Sequence, residues 1–266
     1  MSPPRLSAQD FDALEHVTRR TAELGIPAVL VGAGARLFRL DWPYDIPATR
    51  TTRDWDFAVE VPDLATFDAL RRAIADPHAD AQPESVHVQV RGCTVDLIPF
   101  GAVAAPDQIV RWSAMELDVR GMQDARAHAT PLSVGGRFDL TIPPLPVLAA
   151  LKCIAFEGRG LRDNRDLRDL RFIAESYERC GNEDRVFDEF GDLLAEGGIA
   201  FDAIGAALLG RDMVRACTPE TMARAVRVID GILDDIPRLA FSLHRPTAHE
   251  ESEAWREDKL RATFAA

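Results

Sequence analysis

The sequence predicts an α/β domain at about residues 1–142, followed by an α-helical domain over residues 143–266. In the first part, short apolar or alternating segments of strand length stand between segments of helical periodicity. From Pro146 to about residue 236, the apolar residues recur at helical spacing alone. Three breaks interrupt that stretch, at Gly181-Asn182, Gly197-Gly198 and Thr218-Pro219. The change of pattern near residue 142 therefore indicates two domains.

The elements of the first domain follow from local spacing. A helix is expected at about residues 8–24, where Phe11, Leu14 and Val17 recur at helical spacing. Ala28–Val31 is a short apolar run typical of a buried strand. The other expected elements are a helix that restarts near 36–38, a loop at 41–52, a strand at 54–61, a helix near 64–75, strands at 86–90 and 94–98 joined by a tight connection at Arg91-Gly92-Cys93, and strands at 115–119 and 138–142.

Charge and composition argue against a protein that binds nucleic acid non-specifically and against a membrane or secreted protein. The chain has 266 residues and a net charge of −12, whereas proteins that bind nucleic acid non-specifically are usually basic. A nucleic-acid substrate would therefore need a local basic patch. No apolar run approaches the roughly 20 residues of a membrane helix, and the N-terminus lacks the pattern of a secretory signal. Four cysteines without CxxC spacing predict reduced thiols and hence a cytoplasmic protein with no membrane partner.

Three aspartates are the candidate metal ligands. Asp54 and Asp56 lie two apart in an expected strand, so their side chains share one face and can bracket a hard divalent cation. Asp96 lies in a later expected strand and would come within about 5 Å laterally if that strand is adjacent. Three carboxylates this close repel one another unless a cation neutralises them. The alternatives are a solvated pair at a strand edge and, for Asp96, an outward-facing strand residue.

A glycine turn follows the first expected strand. Gly32, Ala33 and Gly34 are small enough to let the backbone approach a phosphate, and the following helix would offer free N–H groups. Leu37 stands where a dinucleotide-binding fingerprint has its third glycine, so that fingerprint is incomplete.

Taken in order, the glycine turn, the DxD strand and the later lone aspartate resemble the DNA polymerase beta-like nucleotidyltransferase superfamily. More closely, the chain resembles the AbiEii toxin-type nucleotidyltransferases. The matching motifs are the lead-in Arg50-Thr51-Thr52-Arg53 before Asp54, then Lys152, Arg159 and the stretch Arg165-Asp166-Leu167-Arg168-Asp169-Leu170. The resemblance covers about residues 28–172. It departs at Gly32-Ala33-Gly34, where the family has Gly-Gly-Thr, so a hydroxyl that helps to position a phosphate is absent.

The resemblance implies a small mixed-sheet nucleotidyltransferase domain followed by a helical domain. The implied reaction moves an NMP from an NTP to an acceptor hydroxyl, with two magnesium ions about 3.5–4 Å apart. Asp54, Asp56 and Asp96 would hold the metal, and Asp96 would take the proton of the hydroxyl. Nucleotide contacts would come from Gly32, Ala33, Gly34, Arg53, Lys152 and Arg159, with Lys152 reaching the phosphates. The resemblance further implies the toxin of a toxin–antitoxin pair, acting on tRNA or a protein and opposed by a cognate antitoxin.

Several alternatives stay open at this point. A catalytically silent protein of the same fold could bind a nucleotide or a partner, and a small-molecule enzyme of the antibiotic-modifying type would use the same motifs. Lys152 could instead be a lysine that extends from the edge of an apolar helix into water. His87 is interpreted as a strand residue without a chemical role. No residue discriminates ATP from CTP, GTP or UTP.

Overall fold

The computed structural model describes residues 6–46, 54–77, 85–112, 115–159, 163–198, 203–235, 258 and 261–265. The chain divides into two compact units, residues 1–148 and 149–266. The division falls inside a helix, later in the chain than the expected boundary at residue 142. Among the described residues, no helix is long and apolar enough to cross a membrane.

The first unit combines one mixed sheet, two small two-stranded sheets and several helices. Its elements are α1 (Ala8–Glu23), β1 (Ala28–Val31), α2 (Gly32–Arg36, continuing as a π-helix over Leu37–Asp41), β2 (Asp54–Glu60), α3 (Leu64–Ile74), β3 (His87–Val90), β4 (Cys93–Phe100), β5 (Ile109–Arg111), β6 (Glu116–Asp118), α4 (Met122–His128), β7 (Thr130–Val134) and β8 (Phe138–Ile142). The expected α/β class is therefore confirmed, and the helices expected at 8–24 and 64–75 and the four strands expected between residues 28 and 98 are found. The helix expected to restart near 36–38 begins at Gly32, directly after β1, and Asp41 of the expected loop belongs to its π-helical end.

The main sheet has the strand order β1-β2-β4-β3. β1 and β2 are antiparallel, β2 and β4 are parallel, and β4 and β3 are antiparallel. The parallel pair requires a crossover, and α3 lies between β2 and β3 in the chain. The two central strands, β2 and β4, are thus neighbours although about forty residues separate them.

A two-residue turn, shorter than the expected connection, joins β3 to β4. Arg91 has φ 54° and Gly92 has φ 76°, which suits a type I′ hairpin. The Asp76 carboxylate accepts hydrogen bonds from the backbone N–H of Arg91 at 2.8 Å and of Gly92 at 3.0 Å. Cys93 belongs to β4 and pairs with Val90. The hairpin register therefore differs by one residue from that of a three-residue connection.

The stretch between β4 and residue 142 contains more structure than the sequence predicted. The expected strand at 115–119 is Glu116–Asp118, and its partner Ile109–Arg111 was not predicted. The expected strand at 138–142 pairs with Thr130–Val134, also unpredicted, across a turn at Gly135 and Gly136. These short strands contain polar residues or proline, so their own sequences carry little strand signal.

The second unit is helical throughout the residues that the structure describes. Its helices are α5 (Leu145–Arg159, which begins in the first unit), α6 (Arg165–Ser176), α7 (Glu183–Ala195), α8 (Ile204–Ala216) and α9 (Pro219–Asp234). The three predicted breaks all fall between helices. At the last one, the Thr218 hydroxyl accepts a hydrogen bond from the Thr221 backbone N–H and caps α9, whose first residue is a proline.

An ion-pair network joins α7 and α8 of the second unit and includes Tyr177, which directly follows α6. The Asp212 carboxylate on α8 accepts hydrogen bonds from Tyr177 Oη at 2.7 Å and from Arg185 Nη1 and Nη2 at 2.7 and 2.9 Å. Arg215 Nη1 adds a further bond at 2.9 Å. Burial opposes ionisation of Asp212, but these donors outweigh it and lower its pKa to about 2. The network therefore stabilises the ionised form of a largely buried carboxylate.

Candidate active site

The two aspartates of the DxD motif share one face of β2. Trp55 and Phe57 are each 2% exposed, while Asp54 and Asp56 alternate with them and are half-buried. The alternation places both carboxylates on the opposite side of the strand from the two aromatic rings. Both acidic side chains are thus accessible to small molecules, whereas the rings between them anchor the strand in the core.

Strand pairing brings the third aspartate to the same place. In the parallel β2–β4 ladder, Asp56 is the register partner of Asp96, and Asp54 is that of Thr94. Neighbouring strands lie about 4.8 Å apart, so Asp56 and Asp96 are lateral neighbours on one face. The condition that the sequence left open, adjacency of the two strands, is met.

The glycine turn lies directly against Asp56. Val31, the last residue of β1, is the register partner of Asp56, and Gly32 follows it with φ +68°. A Cβ atom on Gly32 would lie 2.1 Å from Asp56 Oδ2 and 2.8 Å from its Cγ. A Cβ atom on Gly34 would lie 2.8 Å from Trp55 Cε3. The glycines are therefore required where the backbone after β1 packs onto the DxD strand.

A hydrogen bond from Trp55 links β2, the strand of the DxD motif, to α1. Its indole Nε1 donates a hydrogen bond of 3.0 Å to Asp10 Oδ1. Asp10 also forms a capping box with Ser7 at the start of α1. Burial would raise the pKa of Asp10, but the hydrogen bonds from Ser7 and Trp55 prevail and hold it below its usual value. Trp55, which lies between the two aspartates, is thus held by the carboxylate of the α1 capping box.

His87 lies in a strand, as expected, and it contacts Asp96. In the antiparallel β3–β4 ladder the two residues are register partners, and His87 Nδ1 is hydrogen-bonded to Asp96 Oδ1. The sequence signal for this contact was ambiguous, because Arg91-Gly92-Cys93 fits a turn of two residues or of three. A two-residue turn at Arg91 and Gly92 places His87 opposite Asp96, whereas a three-residue connection shifts the pairing by one position.

Lys152 lies in a buried ion-pair cluster of the second unit. Its Nζ atom is 2.9 Å from Asp166 Oδ1 and 2.8 Å from Asp169 Oδ2. The lysine side chain is 9% exposed and each of the two carboxylates 3%. Arg159, whose side chain is 53% exposed, also pairs with Asp166 at 2.5 Å. The ammonium group is therefore not extended into water, and its partners are the two aspartates of the RDL-x-DL stretch.

The donor set at the aspartates consists of hard carboxylate oxygens, as magnesium prefers. Across the parts of the chain that the structure describes, no three His, Cys, Asp or Glu side chains are gathered into a metal-binding group. The backbone register nevertheless fits such a site, because Asp56 and Asp96 are lateral neighbours and Asp54 shares their face. The remaining predicted nucleotide contact, Arg53, lies outside the described residues, as does Arg50.

Five chains among the solved structures are similar to this one, and two of them show the level of likeness. No protein-family model and no curated protein matches the chain. The antibiotic-resistance factor ANT(2'')-Ia is similar with a TM-score of 0.43 and 11% identity, over 73% of this chain and 98% of that chain. An antigenic nucleotidyltransferase-like protein from Paracoccidioides brasiliensis is similar with a TM-score of 0.39 and 13% identity, over 70% of this chain and 90% of that chain. Likeness at this level assigns neither a family nor a function.

Proposed function

We propose that the protein is a magnesium-dependent nucleotidyltransferase that moves an NMP from an NTP to an acceptor hydroxyl. The observation that carries the proposal is the parallel register that pairs Asp56 with Asp96, while Asp54 lies on the same face of β2. The turn at Gly32 packs against the Asp56 carboxylate at a position where a Cβ atom would not fit. Three carboxylates beside a glycine turn suit a cation and the phosphates that it binds.

Asp54 and Asp56 would hold two magnesium ions, and Asp96 would complete one of the two sites. Bound there, the ions would supply charge stabilisation to the triphosphate and to the departing pyrophosphate. All three residues are half-buried, so an ion can reach them without unfolding of the sheet.

The chain's own residues then have defined tasks. The oxygen of the acceptor hydroxyl forms a bond to the α-phosphorus, the bond from that phosphorus to the β-phosphate oxygen breaks, and pyrophosphate leaves. The hydroxyl proton passes to the Asp96 carboxylate. Gly32, Ala33 and Gly34 let the nucleotide approach the backbone, and Arg53 is assigned to a nucleotide contact. Lys152 and Arg159, which the resemblance also assigns to the nucleotide, form ion pairs within the second unit.

The biological role in the proposal is that of a toxin, with tRNA or a protein as the acceptor and a cognate antitoxin as partner. The order of motifs from Gly32 to Leu170 supports this role, because it resembles that of the AbiEii toxin-type enzymes. A tRNA would need a local basic surface, since the chain carries a net charge of −12. Arg50, Arg53, Arg159 and Arg162 are the candidates, and of these only Arg159 lies among the described residues, where it is exposed.

The test is transfer from each of the four α-³²P-labelled NTPs, with magnesium or with chelator, onto total tRNA, cell protein or small hydroxylated molecules. The wild-type protein is expected to label tRNA or protein only with magnesium, and Asp56→Asn is expected to abolish labelling. Asp12→Asn removes an exposed carboxylate from α1 instead and should leave transfer unchanged.

Three results would change the assignment. Full transfer by Asp56→Asn would contradict the metal site. Labelling of a small hydroxylated molecule alone would favour the antibiotic-modifying type of enzyme. Nucleotide binding without transfer and without a requirement for magnesium would favour a catalytically silent binding protein.

A further inference from the structure

We infer that His87 is a positioning residue for Asp96, an inference that rests on the proposed function. The imidazole Nδ1 is hydrogen-bonded to Asp96 Oδ1, and the two residues are register partners across β3 and β4. An ionised carboxylate can only accept a hydrogen bond, so Nδ1 carries the hydrogen and donates it. Asp96 therefore has a fixed donor on the β3 side and Asp56 as its register partner on the β2 side.

This donor fixes the orientation of the Asp96 carboxylate. Oδ1 accepts the hydrogen bond from the imidazole, so a cation and the proton of the acceptor hydroxyl are assigned to Oδ2 in this inference. A carboxylate held at one oxygen loses rotational freedom, which preorganises the other oxygen. Removing such an outer partner of a metal-binding carboxylate typically lowers metal affinity or activity by about 10- to 100-fold.

The place of His87 in the fold separates positioning from core packing. Its side chain is 63% exposed, while that of Asp96 is 19% exposed. Strand β3 is an edge strand whose pairing uses backbone hydrogen bonds, and Asp76 holds the turn through backbone N–H groups. Loss of the imidazole therefore removes little buried surface, and the hairpin keeps its other supports.

Gln89 provides a matched control on the same strand. It lies two residues after His87, so it shares the same exposed face of β3. Its Nε2 donates a hydrogen bond of 3.1 Å to Thr94 Oγ1, across the same strand pair. Gln89→Ala therefore removes a cross-strand hydrogen bond of the same hairpin without removing a partner of a catalytic aspartate.

The experiment compares His87→Ala, His87→Asn and Gln89→Ala with the wild-type protein in two assays. The first measures kcat and KM for nucleotide transfer, and the second measures Mn²⁺ affinity of the nucleotide-free protein by calorimetry. His87→Ala is expected to lower kcat about 10- to 100-fold with KM for the NTP unchanged, and to weaken Mn²⁺ binding about tenfold. His87→Asn keeps a donor near the Nδ1 position and should restore most of both values, and Gln89→Ala should match the wild type.

Four outcomes overturn the inference. They are wild-type values for His87→Ala in both assays, an equal loss in Gln89→Ala, failure of His87→Asn to restore either value, and a lower thermal midpoint of unfolding in His87→Ala that accounts for the loss. Asp96→Asn distinguishes this failure from failure of the proposed function. If Asp96→Asn loses transfer and Mn²⁺ binding while His87→Ala loses neither, the inference fails alone. A wild-type protein that neither transfers nor binds Mn²⁺ refutes both.

Discussion

Replacement of Gly32 by alanine tests whether the turn after β1 and the Asp56 carboxylate form one site. Gly32 has φ +68°, a conformation that costs an alanine about 1–2 kcal/mol. The new Cβ atom would also lie 2.1 Å from Asp56 Oδ2 and 3.1 Å from Asp56 Cβ, so either the side chain or the strand must move. Such overpacking adds about 1–3 kcal/mol. We therefore expect Gly32→Ala to lower the free energy of unfolding by about 2–5 kcal/mol and to displace Asp56.

Gly136→Ala is the matched control for the backbone cost. Gly136 also has φ +68°, but a Cβ atom there would meet nothing within 4 Å. Its substitution should therefore cost only the backbone part, about 1–2 kcal/mol, and leave nucleotide transfer unchanged. Urea denaturation of both variants gives the two free energies, and their difference isolates the contact between residue 32 and Asp56.

Transfer assays on the same proteins complete the test. Gly32→Ala is expected to abolish transfer, because its Cβ atom would lie 2.1 Å from Asp56 Oδ2 and would displace that carboxylate. Equal loss of stability in Gly32→Ala and Gly136→Ala, together with full transfer by Gly32→Ala, would refute the steric reasoning. Stability loss with full transfer would show that Asp56 is not needed in its present position.

Two further predictions concern the second unit. Asp212 has a pKa of about 2 against an ordinary 3.8, so its ionised form adds about 2 kcal/mol of stability above pH 4 that is lost as pH falls towards 2. Asp212→Asn should remove that stability at pH 7 and flatten the acid limb of urea-measured stability, and an unchanged pH profile would contradict the assignment. Lys152→Met leaves the buried Asp166 and Asp169 short of a cation, so we expect the free energy of unfolding to fall by about 3–5 kcal/mol. The second measurement is the NTP affinity of Lys152→Met by calorimetry. Retained stability together with a weakened NTP affinity would instead favour a direct contact between Lys152 and a phosphate.

Local features were predictable from the sequence because they depend on covalent geometry and on the nearest neighbours in the chain. The helix Ala8–Glu23 follows from helical spacing of apolar residues, and Ser7 and Asp10 cap it. Asp54 and Asp56 share a face because side chains in a strand alternate with a period of two, whatever the strand pairs with. The helical nature of the second half and the breaks between its helices follow in the same way.

Only the tertiary structure decided which distant residues meet. Asp56 and Asp96 are neighbours because β2 and β4 pair in parallel. No local rule specifies that pairing, since a crossover separates the two strands in the chain. The contact of His87 with Asp96 depends on the two-residue length of the β3–β4 turn. A turn longer by one residue would shift every cross-strand pair of the hairpin by one position. Lys152 is surrounded by Asp166 and Asp169 because two helices pack together, whereas its own helix sequence is equally compatible with an exposed ammonium. Long-range packing, rather than residue type, therefore determined the partner of each candidate catalytic charge.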